Sequence, residues 1–259
     1  MHLRSVHKES SIPVLRQLIR DNPLGILTTA IRSDSYPLLQ STHIPFVLDV
    51  EDETSETELG RLRGHLARQN PQSKAMIESL TRADAAGATQ VLEEEVLVLF
   101  SSPAEHYITP KFYVETKPTT GKVVGTWNYA AAQVYGKAKI YFDSKAEETM
   151  SFLATQADDL SDHCETSIMG YTGVGDRPPP WKVSEAPERY VDLLRKNIIG
   201  IEITIDRLEG KFKMSQEMSK GDREGVIQGL WNLESDVGRQ TSMLVQQRSE
   251  SKGTGAKEP

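Results

Sequence analysis

Three short stretches of this 259-residue chain carry polar groups at the ends of apolar runs: Thr28-Thr29, Gln40-Ser41-Thr42-His43 and Gly64-His65-Leu66-Ala67-Arg68. Together with Arg68 and with Asn70-Pro71 opening a helix, they are the equipment for an anionic cofactor. Hydroxyls and backbone amides can take a phosphate, arginine supplies a fixed charge, and a helix N-terminus favours anions. The same residues also fit ordinary strand ends with hydrogen-bonded core histidines, and these stretches alone leave both readings open. A fourth stretch, Trp127-Asn128-Tyr129, sets two flat rings beside an amide that both donates and accepts. It suits a flat, polar-edged ligand, or equally a buried corner where a strand enters a barrel.

Other constellations carry less. Gly170, Gly173 and Gly175 match neither a dinucleotide fingerprint nor a P-loop and read as a connector. Asp162, His163 and Cys164 are consecutive, a spacing that rarely converges on one ion, so no metal site is expected. No nucleophile motif surrounds Ser167, and no catalytic residue is singled out. The acidic run Glu51, Asp52, Glu53, Glu56, Glu58 lacks calcium-loop spacing and reads as a solvated hairpin tip.

The elements that must position these groups show as periodicities. A helix capped by Ser10 or Ser11, with Pro13 in its opening turn, runs through Leu15, Leu18 and Ile19 and stops at Asn22-Pro23. Strands follow over 24–31 and 37–50 as a hairpin, then 59–67, 93–102 and 106–113. The 93–102 run is apolar enough for burial on both sides. A helix over 72–85 sets Ala75, Met76, Leu80 and Ala83 near one face. From Gln133, Val134, Gly136, Ala138, Ile140 and Phe142 alternate with polar and ring residues as in a half-buried strand. Beyond Asp143 come helices over 144–157 and 187–197, a strand over 198–208, and one long helix from Lys220 to about Gln247. Strands first and helices later predict an α+β barrel, one domain over 1–247 with helical additions from about 144 and a disordered tail over 248–259.

Composition narrows the function classes. The 37 acidic and 30 basic residues give a net charge of -7, and basic residues are dispersed, which weighs against direct nucleic-acid binding. No apolar run is long enough to span a bilayer. One cysteine excludes an intramolecular disulfide, and the polar start of the chain points to a cytoplasmic protein.

In order and spacing, LGILTTA, THIPF, GHLARQNPQ, VLVLFSSP, HYITPKFY, KVVGTWNYAAAQVYGKA, DRPPPWKVSEAPERYVDLL, LEGKFKMSQ and DREGVIQGL resemble the PaiB-like family. These are FMN-binding negative transcriptional regulators of the FMN-binding split-barrel superfamily. TWNY ahead of a VYG strand is the most specific of these motifs, and the resemblance covers roughly residues 24–230. It implies a split β-barrel with peripheral helices and a C-terminal helical extension, forming a homodimer with FMN in a groove between subunits. By the resemblance, Thr28, Thr29, Ser41, Thr42, His43, His65, Ala67 and Asn70 line the cofactor site, and Arg68 serves the phosphate. Trp127 and Asn128 form or support the ring wall, while Lys211, Ser215 and Gln216 belong to a late motif reaching the same cleft.

The implied functions are three: an FMN-dependent oxidoreductase acting on a small molecule, a regulator without strong direct DNA binding, or a haem-binding or haem-degrading protein. His43 or His65 could serve haem as axial ligand. Departures from the family pattern are Gly125 where proline is usual, Ser73 for an aromatic, Glu217-Met218 for Asn-Arg, and Ala132-Gln133 where a histidine is common. Glu217 makes its corner more negative, which bears on flavin-phosphate affinity.

Overall fold

A computed structural model describes residues 1–83 and 90–254. In chain order the elements are β1 Lys8–Glu9, α1 Ile12–Asp21, β2 Leu24–Ala30, β3 Leu39–Asp49, β4 Arg61–Ala67, α2 Pro71–Ala83, β5 Val96–Ser101 and β6 His106–Ile108. They continue with α3 Thr116–Thr120, β7 Thr126–Tyr141, α4 Glu147–His163, α5 Glu188–Lys196, β8 Ile198–Lys213, α6 Lys220–Trp231 and α7 Asp236–Thr254. The chain expected as one domain divides into two compact units. One holds Ser11–Phe100 and Gln133–Leu208; the other holds Met1–Ser10, Ser101–Ala132 and the stretch from Glu209 onward.

The larger unit is the barrel. Its strands run in the order β8-β4-β3-β2-β5-β7, and β7 also pairs with β8, which closes the ring. Closure brings backbones close: a Cβ on Gly136 of β7 would stand 2.0 Å from the Thr204 carbonyl of β8, so only glycine fits. Alternate residues fill the interior, among them Leu27, Ile44, Phe46, Leu62, Val98, Phe100, Val134, Ile201 and Ile203. Burying such side chains contributes roughly 1.5–3 kcal/mol each. β5 alternates buried and half-buried residues, so it is apolar on both faces yet fully buried on one, unlike the expectation.

Helices close part of this barrel. α1 buries Leu15, Leu18 and Ile19, and α2 buries Ala75, Met76 and Leu80. Of the helix expected over 72–85, residues 84 and 85 lie outside the described residues. α4 lies on the outer side of β4, where Arg63 bonds Asp49 at 2.6 and 2.7 Å and Asp159 at 2.7 Å. The acidic loop is more than a solvated tip. Arg16, fully buried in α1, donates to the carbonyls of Asp52, Glu53, Ser55 and Glu58, so the loop is wrapped around a guanidinium.

In the smaller unit β6 pairs with the first residues of β7, Tyr107 opposite Trp127 and His106 opposite Asn128. The strand expected from Gln133 therefore begins at Thr126, and the Trp-Asn-Tyr triplet lies inside it. β1 pairs with the end of β8, which runs past the expected Leu208 to Lys213. The expected long C-terminal helix is two helices. The break at 232–235 has Glu234 at φ +55°, and Ser235 Oγ accepts the Gly238 N–H to start α7. α7 continues to Thr254, past Gln247; residues 255–259 of the expected tail lie outside the described residues.

Candidate functional site

The β2–β3 register sets Thr28 opposite Ser41 and Ile26 opposite His43. Opposed residues of an antiparallel pair share a face. Here it is the outer one, because Gly25, Leu27 and Thr29 are the buried alternates of β2. Thr28 Oγ1 and Ser41 Oγ share a hydrogen bond of 2.8 Å. His65 and Ala67 alternate with the buried Leu66 on β4.

Thr29, Gln40 and Thr42 take the opposite face of the hairpin, where the start of α2 meets them. Gln72 Nε2 donates to Leu27 O at 3.2 Å, Thr29 Oγ1 at 3.0 Å and Gln40 O at 3.1 Å. Asn70 caps α2: its Oδ1 accepts the Gln72 N–H at 2.9 Å, and its Nδ2 donates to Thr42 Oγ1 at 3.0 Å. Ser73 is fully buried and donates to Ala67 O at 2.8 Å, which accounts for a small polar residue at that place. The geometry thus ties Thr28 to Ser41, Thr29 and Thr42 to the α2 entry, and Ala67 to Ser73.

Arg68 is held differently from expectation. Its guanidinium donates to the carbonyls of Phe142 and Lys196, and its backbone N–H to Asn197 O at 2.9 Å. Part of its donor capacity is spent inside the fold.

Several buried polar atoms in the barrel unit have no partner in the protein, among them Gln40 Nε2, Gln72 Oε1 and His65 Nδ1. Such a group costs about 1–3 kcal/mol if nothing satisfies it, and native structures rarely leave one so. Burial pushes the His65 pKa down, so the ring is neutral near pH 7 and Nδ1 donates or accepts by tautomer. These three groups lie on two faces of the sheet: Gln40 and Gln72 meet at the entry to α2, while His65 stands on the outer face of β4. Gln72 was not among the sequence candidates; its signal was the amide just after the helix-opening Asn70-Pro71.

In the smaller unit the candidates are mostly satisfied. Asn128 is fully buried and donates to Ser215 Oγ at 3.0 Å; Ser215 holds φ +60°. Gln216 accepts the Met214 N–H at 2.7 Å and donates to Phe212 O at 2.6 Å. These three build the turn after β8. Glu217 accepts from His7 Nε2 at 2.9 Å. Burial raises the Glu217 pKa, but the His7 hydrogen bond and the charges of His7 and Lys213 outweigh it and keep the carboxyl below its usual range. Trp127, 57% exposed, meets Tyr107 edge-on at 6.2 Å, and Lys211 Nζ stands 5.4 Å over the Tyr129 ring.

A closed barrel with polar strand ends has room for a small cofactor at those ends, and comparison with known proteins gives the family. Residues 1–207 match the family model described as "Putative FMN-binding domain", and the chain belongs to that family, whose cofactor is FMN. It is 63% identical over 255 residues to an uncharacterized protein of Emericella nidulans, covering 97% of this chain and 99% of that one. It is 23% identical over 248 residues to the protease synthase and sporulation protein PAI 2 of Bacillus subtilis, covering 96% and 98%. The flavocytochrome Anf3 of Azotobacter vinelandii aligns with a TM-score of 0.45 at 10% identity, covering 82% of this chain and 72% of that one.

Proposed function

We propose that the chain holds FMN at the outer face and mouth of the barrel and serves as an FMN-dependent oxidoreductase for a small molecule. The observation that carries the reading is the Thr28–Ser41 hydroxyl pair beside His43 on the outer face of the β2–β3 hairpin, in a chain of an FMN-binding family. Bound FMN supplies the electron chemistry, while the protein binds and orients it. Thr28, Ser41 and His43 present hydroxyls and an imidazole on the face left open by the helices. Neutral His65 holds a proton at one ring nitrogen without adding charge. The phosphate is assigned to the positive end of α2 and the remaining Arg68 N–H groups.

A second copy of the chain covers the open face in this reading. Leu24 and Leu39, 59% and 68% exposed, stand at the two ends of β2–β3. Light scattering should then give about twice 28.9 kDa, and a monomer at micromolar concentration would overturn the pairing. The cofactor reading is tested by the visible spectrum of the purified protein. The two bands of oxidised flavin support it. A Soret band, or no flavin taken up from added FMN, overturns it.

A further inference from the structure

The smaller unit carries a cluster of cations that the flavin reading does not use. Lys8 and Lys211 are directly opposed in the β1–β8 register. Like charges so placed on an antiparallel pair destabilise it. Lys213, two residues along the same face, is bonded through Nζ to Trp127 O at 2.8 Å and to Thr126 Oγ1. Burial lowers its pKa, and the charges of Lys211 and Arg4 add to the lowering, while Glu217 and Tyr129 oppose it. Arg4, whose carbonyl accepts the Lys8 N–H at 3.0 Å, stands one turn before Lys8. Of the carboxylates nearby, Glu217 is engaged by His7 and Glu209 by the N-terminal amine. Glu9, the β1 neighbour of Lys8, pairs with Arg248. Among the described residues none of Arg4, Lys8, Lys211 and Lys213 forms an ion pair with a carboxylate. All this sits in a chain of net charge -7, where chance should have neutralised it.

Flat surface adjoins the charge. Trp127 and Tyr129 point to one face of β7, opposite the buried Asn128, and Lys211 lies over the Tyr129 ring. The Trp127 ring is left as the exposed platform. Cations beside an exposed indole match a ligand with several negative charges and a flat base, because rings stack on Trp and phosphates pair with ammonium and guanidinium groups.

We propose that Arg4, Lys8, Lys211 and Lys213, with Trp127, form a nucleotide site that takes a ligand carrying two or more phosphate charges and a planar base. The site lies within the smaller unit and stands whether or not the barrel holds FMN.

The test is calorimetric titration of ADP, adenosine, inorganic phosphate and FMN into full-length wild type, Lys8→Ala/Lys211→Ala and Trp127→Leu. ADP should bind wild type at least tenfold tighter than adenosine does. The double lysine variant should lose roughly tenfold or more for ADP, the scale of lost bonds to charged groups. Its thermal midpoint should hold or rise, because a like-charge pair has been removed. Trp127→Leu should weaken ADP and leave inorganic phosphate unchanged. FMN should bind wild type equally well with and without saturating ADP, which separates this site from the barrel. No heat from millimolar ADP, equal ADP affinity in the lysine variant, or displacement of ADP by FMN would each overturn the proposal. Any of these would leave the lysines as edge-strand charges that discourage pairing.

Discussion

The two units treat their buried amides in opposite ways. In the smaller unit Asn128 and Gln216 spend their amides on Ser215, Met214 and Phe212, and the turn after β8 is built from those bonds. In the barrel Gln72 spends its NH2 group three times, yet its Oε1, Gln40 Nε2 and His65 Nδ1 stay unpaired. Residue type does not separate the two sets, since both are amides beside hydroxyls near strand ends. What separates them is whether the protein itself completes their hydrogen bonds. A completed amide holds the fold; an incomplete one is available to a ligand.

The largest expected effect comes from a buried guanidinium in the barrel unit. Arg16→Ala should cost about 3–5 kcal/mol, because a buried charge that organises four carbonyls is lost. Urea unfolding measures it, and a loss below about 1 kcal/mol would mean the 51–58 loop rearranges without cost. Asn128→Ala should follow at about 2 kcal/mol, because Ser215 is left with an unpaired buried hydroxyl. Flavin content per folded molecule should be unchanged; loss of flavin at unaltered stability would move Asn128 from support to contact.

Arg68→Ala divides the two roles in one side chain. Its bonds to Phe142 and Lys196 carbonyls predict a stability loss of about 1 kcal/mol. FMN binding should weaken as well, measured by flavin fluorescence. A change in one quantity alone would assign the guanidinium wholly to fold or wholly to phosphate.

The smallest effect concerns acid. Burial alone would raise the Asp222 pKa, but hydrogen bonds from Thr116 and Glu115 outweigh it and hold it below the ordinary 3.8. A carboxylate depressed in the folded state adds stability that is complete above 3.8 and is lost as pH falls through its lower native value. Asp222→Asn should flatten the stability profile in that acid window only. An altered slope near pH 6 would point to another group.

Much of this was legible in the sequence. Apolar and β-branched runs between turn signals located β2, β3 and β4, period-2 alternation located the later part of β7, and Pro13 and Pro187 marked helix entries correctly. The errors have physical causes. Trp127 to Tyr129 read as a pre-strand corner because Asn128 breaks an apolar pattern; its hydrogen bond to distant Ser215 makes it a core residue. The C-terminal helix read as continuous because one left-handed Glu234 leaves no compositional trace. Arg16 did not stand out, since its four carbonyl partners lie far along the chain. At the site, hydroxyls and histidines stood out, but Gln72 did not, because a glutamine two residues into a helix is ordinary until its unpaired oxygen is seen.

The central claim is that the outer-face hydroxyls of the barrel, not the completed amides of the smaller unit, bind the flavin. Equilibrium titration of FMN into flavin-free wild type, Thr28→Val/Ser41→Ala and Asn128→Ala, each checked for folding, tests it most directly. Removing the Thr28–Ser41 hydroxyl pair should weaken FMN roughly tenfold, the scale of one or two hydrogen bonds, with wild-type affinity in Asn128→Ala. Full affinity in the hydroxyl variant with weakened binding in Asn128→Ala would contradict the account.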